Sequence, residues 1–211
     1  IRAIVVTGSG DEAFCTGADL EETIPETTGP EPDIGPGDDD LFLRHELVRT
    51  LIIAAVNGLC VAGGMEFLQA TDIRVAAESA RFGLQEPRWG LAPVAGSHVR
   101  LPRQIPYCRA MEFLLTGDLF PASHALEAGL VNEVVPDGEA LERAEAVADS
   151  IAENSPEAVQ RIKETVHRCA GLRPDDAFRL ETRLGEETFA SAHAKEGVEA
   201  FTEGREPSFR R

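Results

Sequence analysis

A chain of 211 residues, 43% hydrophobic and 27% charged, is long enough for one sizeable core and has the composition of an ordinary soluble globular protein. Its formal net charge of −17 repels phosphate backbones and anionic lipid, so neither nucleic acid nor a membrane is an expected partner. No apolar run reaches spanning length, residues 1–20 carry no basic segment followed by an apolar one, and the expected location is the cytoplasm.

In chain order, Ile1 to Thr7 predicts a strand of β-branched and small apolar residues. Residues 22–40, rich in Pro, Gly and acids, predict a solvated loop with no apolar period to bury. A loop of that length is either functional or a plain insertion. Leu41 to Arg49 predicts a short helix. Ile52 to Val56 is a continuous apolar run suited to a strand covered on both faces, broken at Asn57-Gly58. A helix follows Gly63-Gly64 through "MEFLQA", and "IRVAA" after Asp72 predicts another strand. Apolar strand, glycine turn and helix thus alternate, which points to an α/β class. From residue 97 the pattern turns helical. Pro121 suits the first turn of "PASHALEAG" and Gly129 its end. "LVNEVV" predicts a last strand. Beyond residue 139 only helices are expected: one capped by Ser155-Pro156 with Val159, Ile162, Val166 and Cys169 on one face, one over 175–190 and one over 193–202.

Four cysteines (15, 60, 108 and 169) show no C-x-x-C pairing and read as reduced thiols. The five histidines are scattered without metal-ligand spacing, so no metal is expected. Gly8-Ser9-Gly10 and Ala13 fit a dinucleotide fingerprint in spacing, but Asp11 and Glu12 occupy the mouth where phosphate would sit. Two other glycine turns carry more. "FCTGADL" brings a glycine to a strand end, where the amide near Ala18 can donate to an oxygen. "NGLCVAGGMEF" opens a helix at Gly63-Gly64, whose first amides have no intrahelical acceptor. Two such donors aimed at one point make an oxyanion hole. Two glutamates, Glu66 and Glu86, stand among apolar neighbours nearby in sequence.

"FCTGADL", "IIAAVNGLCVAGGMEF", "TDIRVAAESARFGLQEPRWGL" and "LTGDLFPASHALEAGLVNEVV" closely resemble the crotonase, or enoyl-CoA hydratase/isomerase, superfamily. The resemblance covers nearly the whole chain. It implies a spiral of ββα units over residues 1–138 and an all-helical region over 139–211 that builds trimers, often paired as hexamers. It implies an acyl-CoA thioester substrate, with coenzyme A as part of that substrate and no separate cofactor. The amides of Ala18 and Gly63 would form the oxyanion hole, Glu66 and Glu86 would be the two catalytic acids, and Cys15, Gly17, Asp19, Leu20, Leu59, Val61, Gly64, Trp89 and Val94 would line the substrate site. The implied reaction is addition of water to a 2-enoyl-CoA, or its reverse. An isomerase or hydroxyacyl-CoA dehydratase of the same family, and an idle acyl-CoA-binding scaffold, are the alternatives. The chain departs from the pattern at Ala62 in the glycine triplet, at "APVAGSH", at Arg88 and Trp89, and at Glu21-Glu22. Trp89 and the 22–40 loop would shape the acyl pocket. The chain also begins at what reads as an internal strand, whereas the family carries earlier strands and a helix that contribute to CoA binding.

Overall fold

A computed structural model describes residues 1–19, 28–30 and 42–209. The predicted 22–40 loop therefore lies almost wholly outside the described residues. Two compact units are present, one of residues 5–46 and 52–146, the other of residues 1–4, 47–51 and 147–211.

The first unit carries the sheets. β1 (Ala3–Thr7), β3 (Leu51–Val56), β5 (Ile73–Ala77) and β8 (Glu133–Val135) lie in one sheet in the order β1-β3-β5-β8. β2 (Ala13–Cys15), β4 (Leu59–Val61), β6 (Arg81–Gly83) and β7 (Phe120–Pro121) form a second, ordered β2-β4-β6-β7. The chain alternates between them: each strand of the first sheet from β1 to β5 is followed by a three-residue strand of the second. Pairing is parallel from β2 to β4 to β6 and from β3 to β5 to β8, with β7 antiparallel at one edge. β3 is buried from Ile52 to Val56, as a run without polar alternation requires.

Asn57 fastens the corner between β3 and β4. Its Oδ1 accepts from the Gly8 amide at 3.0 Å, and its Nδ2 donates to the Gly10 carbonyl at 2.7 Å. The Gly8–Gly10 turn leads into strand β2 and not into a helix, so it presents no helix N-terminus to a phosphate.

The helices of this unit are α1 (Gly63–Leu68), α2 (Ser97–Gln104), α3 (Tyr107–Thr116) and α4 (Ala122–Glu127), with a 3-10 turn at Glu86–Trp89. Their apolar faces close on the sheets through Met65, Leu68, Phe82, Leu84, Leu101 and Phe113, all fully buried. Pro121 stands one place before α4 as its cap, and Gly129 follows with φ 78°. The helix expected from Leu41 to Arg49 does not form over its described part. Leu43 has φ 51°, a left-handed conformation that a right-handed helix cannot propagate through.

α5 (Ala140–Ala152) leads into the second unit, which holds α6 (Pro156–Cys169), α7 (Pro174–Phe189) and α8 (Ala192–Glu203). The Ser155 hydroxyl caps α6 by accepting from the Ala158 amide. On the face of α6 that carries Val159, Ile162, Val166 and Cys169, Ile162 is 64% and Val166 69% exposed, while Val159 and Cys169 are half-buried. The inward position belongs to Glu164, whose carboxylate is ringed by Arg49, Arg161 and Arg168 at 2.9–3.2 Å. A carboxylate with three guanidinium partners can be buried at tolerable cost.

Candidate active site

The two glycine turns singled out in the sequence meet. Gly17 follows β2 with φ 86°, and a methyl placed on it would lie 2.8 Å from the Gly63 nitrogen and 3.4 Å from the Gly63 Cα. A methyl on Gly63 would in turn lie 3.2 Å from the Gly17 Cα. Backbone therefore packs directly on backbone: Gly17 leaves no room for a side chain, and at Gly63 one would fit only if its neighbours gave way by a few tenths of an ångström. Behind them Gly64 rests on Cys15 at the end of β2. Ala62, ahead of α1, has φ 49° and ψ −127°. Its strained turn swings the chain from β4 into the helix, and its amide is held by the Gly83 carbonyl at 3.0 Å. Among the described residues, neither the Ala18 nor the Gly63 amide donates to a protein acceptor. The Phe42 ring lies over Gly63, with Cε1 and Cζ each 3.4 Å from where a methyl would stand.

Glu66 sits on the first turn of α1, one helical turn from Gly63, and is only 4% exposed. Its Oε1 accepts from the Ser97 amide at 3.1 Å. Burial raises its pKa, while the Ser97 and Ala95 amides, the Ser97 hydroxyl and His98 oppose the rise by favouring the charged form. Glu86 opens the 3-10 turn. Burial, with a contribution from the negative charge of Glu66, pushes its pKa to about 7, against the hold of its own backbone amide. Its Oε2 is buried without a hydrogen-bond partner among the described residues. The two glutamates are thus within electrostatic reach of one another in a partly dry setting. A pair of like charges so placed favours one shared proton.

Of the other predicted lining residues, Cys15, Gly17 and Gly64 belong to the meeting of the turns. Val61 is buried and Leu59 half-buried on β4, two strands' width from β7. Asp19 is exposed, and Leu20 lies outside the described residues. Trp89 is 66% exposed at the far end of its turn. Val94 borders a cavity of about 370 Å³ together with Arg44, His45, Pro93, His98 and Arg100. Sequence reasoning missed Phe42, Gln69 and Ser97. The only signal for Ser97 was its place in a run that in the family is rich in glycine. Among the described residues no cluster of His, Cys, Asp or Glu could hold a metal.

Two interleaved sheets that spiral through β-β-helix units, with two carboxyl groups beside two apposed glycine turns, define a fold of the crotonase type. The family model described as enoyl-CoA hydratase/isomerase matches residues 1–211, and the chain belongs to that family. It is 44% identical over 212 residues to an enoyl-CoA hydratase of Mycobacterium tuberculosis, covering 99% of this chain and 79% of the relative. It is 36% identical over 211 residues to the (E)-benzylidenesuccinyl-CoA hydratase of Thauera aromatica, covering 100% of this chain and 82% of that one. The solved structure of an enoyl-CoA hydratase from Bacillus anthracis superposes with a TM-score of 0.85 at 35% identity, over 99% of this chain and 81% of the other.

Proposed function

We infer that this enoyl-CoA hydratase adds water to a 2-enoyl-CoA thioester with Glu66 and Glu86 as its catalytic pair and the amides of Ala18 and Gly63 as its oxyanion hole. The observation that carries the reading is the direct packing of the Gly17 turn on the Gly63 turn, with Glu66 one helical turn further on. A thioester oxygen seated there receives two main-chain donors as negative charge develops on it. Loss of one such donor costs on the order of a hundredfold or more in rate. Glu66, buried yet supplied with donors that favour its charged form, is the base that holds and activates water. Glu86, held protonated near neutrality by its pKa of about 7, delivers the proton to the α-carbon. In dehydration the roles exchange. Cys15, Gly64, Leu59, Val61, Asp19, Leu20, Trp89 and Val94 are the proposed lining of the substrate site.

The substrate partner is an acyl-CoA thioester, and no separate cofactor takes part. The exposed apolar side chains of the C-terminal unit, Ile162, Val166, Phe178, Phe189, Val198 and Phe201, support a role for residues 139–211 in a homotrimer or hexamer. Free thiols at Cys15, Cys60, Cys108 and Cys169 fit a reducing compartment, which we take to be the cytoplasm, and a place in fatty-acid metabolism fits the substrate class. Turnover of crotonyl-CoA, followed by loss of enoyl absorbance, tests the reading. Glu66→Gln and Glu86→Gln should each lower kcat/KM by at least about a hundredfold. Near-native rates in either variant end it.

A further inference from the structure

The cavity of about 370 Å³ opens between two segments that each touch the proposed site. One is residues 42–45. The Phe42 ring lies over Gly63, and Arg44 and His45 line the cavity two and three residues further on, a chain reach of about 7–10 Å. The other is residues 94–100. Val94, Gly96, His98 and Arg100 line the cavity, while Ser97 between them is fully buried and gives its amide to Glu66 Oε1 at 3.1 Å. Two hydrogen bonds tie the segments together: Arg100 Nη2 donates to the Leu43 carbonyl at 2.7 Å, and Arg44 Nη1 to the Val94 carbonyl at 3.2 Å. Arg44 and Arg100 are half-buried, and His45 and His98 are exposed, so the imidazoles stand at the rim.

The chain holds 37 Asp and Glu against 20 Lys and Arg, yet the described residues that line this cavity include four basic side chains and no acid. A recess whose charge opposes that of the surrounding surface concentrates anions. A hydrocarbon tail seated there would strip water from the guanidinium groups and return nothing. A carboxylate would return charge-assisted hydrogen bonds, for which a guanidinium offers a planar fork of donors. Position selects among anions. On the assignment made above, Glu66 activates the water that adds to the β-carbon, the end of the reacting unit remote from the CoA sulfur. A cavity lined by the segment that holds Glu66 is therefore offered to the acyl chain beyond that carbon, and not to the phosphates of CoA.

We propose that this cavity receives a carboxylate at the far end of the acyl chain, with Arg44 and Arg100 as specificity-determining residues, so that the preferred substrates are 2-enoyl-CoA monothioesters of dicarboxylic acids. The proposal rests on the hydratase reading and on the placement of Glu66 given above. The terminal carboxylate takes no part in the bond changes. It is bound as the anion, and its capture holds the double bond against the two glutamates.

The test compares 2-hexenedioyl-CoA with 2-hexenoyl-CoA, and 2-octenedioyl-CoA with 2-octenoyl-CoA. Each pair has one chain length and differs in a terminal carboxylate against a methyl group. The wild type is expected to favour the carboxylated member of at least one pair by about tenfold or more in kcat/KM. Arg44→Leu and Arg100→Leu should each bring that ratio down toward one, and Arg44→Glu should invert it. Arg44→Lys, which keeps the charge and loses the fork, should retain part of the preference. Both members of a pair report on the same folded molecules, so a loss of folded protein cancels in the ratio. Calorimetry with the saturated analogues of the preferred pair reads the preference without turnover, again as about tenfold in affinity. Wild-type ratios near one in both pairs overturn the proposal, as does a preference that survives both leucine substitutions. A fall in kcat/KM common to both members of a pair in the leucine variants would assign the two arginines to the CoA phosphates and overturn it too. Absence of turnover on crotonyl-CoA beside a retained calorimetric preference would instead overturn the hydratase reading, so the two failures are distinguishable.

Discussion

Glu86 makes stability depend on pH in a way that one substitution can remove. Burial displaces its pKa from 4.5 to about 7. At about 1.4 kcal/mol per unit of pH, the displacement is worth at most about 3 kcal/mol, and partial contact of the side chain with solvent reduces this to about 1–2 kcal/mol. The sign follows from where the proton sits. Well below pH 4.5 the carboxyl is protonated in both folded and unfolded chains and contributes nothing. Between 4.5 and about 7 the folded chain keeps a proton that the unfolded chain has released, so stability falls as pH rises. Above about 7 the group is ionised in both states and the full cost is present. Glu86→Gln has the shape of the neutral acid and no charge to desolvate. Its melting temperature should exceed the wild type's only slightly at about pH 5 and by about 2–8 °C at about pH 8, taking about 2–4 °C per kcal/mol for a chain of this size. Scanning calorimetry of the two proteins at matched concentration across that range gives the answer. A gap that does not grow with pH, or a wild type that is the more stable at about pH 8, would show that Glu86 holds no proton near neutrality and would remove the physical basis for its role as acid.

Three further substitutions probe the frame around the site. Gly64→Ala would put a methyl 2.0 Å from the Cys15 carbonyl oxygen and 2.7 Å from its carbonyl carbon, backbone that cannot swing aside; a loss of about 2–3 kcal/mol in urea unfolding and of most turnover is expected. Ala62→Gly relieves a conformation that an L side chain adopts with strain, offset in part by the freer unfolded chain, so a net gain of on the order of 1 kcal/mol in the same assay is expected. The third is Arg74→Leu. The Arg74 guanidinium is buried, donates to the Leu130, Gln69 and Thr71 carbonyls and to Gln104 Oε1, and has its pKa lowered by burial to about 10. Removing it strands those acceptors, and a loss of about 3 kcal/mol is expected, visible as a fall in denaturation midpoint.

What could be read from the sequence follows burial and periodicity. β3 is legible because a strand covered on both faces is a continuous apolar run, and β5 because Arg74 alone interrupts its apolar residues. α6, α7 and α8 are legible because their caps and first-turn prolines are local signals: Ser155-Pro156 fixes the start of α6 to the residue. β2, β4 and β7 are not, since two or three residues carry no period, and their existence depends on pairing with strands far along the chain. The missing helix after Leu41 fails for a related reason: its composition suits a helix, but the left-handed Leu43, whose carbonyl is held by Arg100 at 2.7 Å, is set by tertiary contact. On α6 periodicity identified an apolar stripe correctly but not what covers it. The stripe's exposure and the burial of Glu164 show that a 3.6-residue period marks an apolar face without saying that the chain's own core buries it.

The site divides the same way. Two glycine turns and two glutamates twenty positions apart can be found by eye, and their identity as a set came from resemblance. Their inequality could not be read at all. Glu66 and Glu86 are the same residue type in similarly apolar company. What separates them is the segment Ala95–Ser97: the Ser97 amide donates to Glu66 Oε1 at 3.1 Å, while Glu86 Oε2 is buried with no such donor among the described residues. A carboxyl group with donors aimed at it is favoured as the anion, and one without them as the neutral acid. On the proposed assignment the shared proton therefore resides on Glu86, and the direction of proton flow is set by a segment that begins twenty-nine residues beyond Glu66 and nine beyond Glu86, outside the reach of any local pattern.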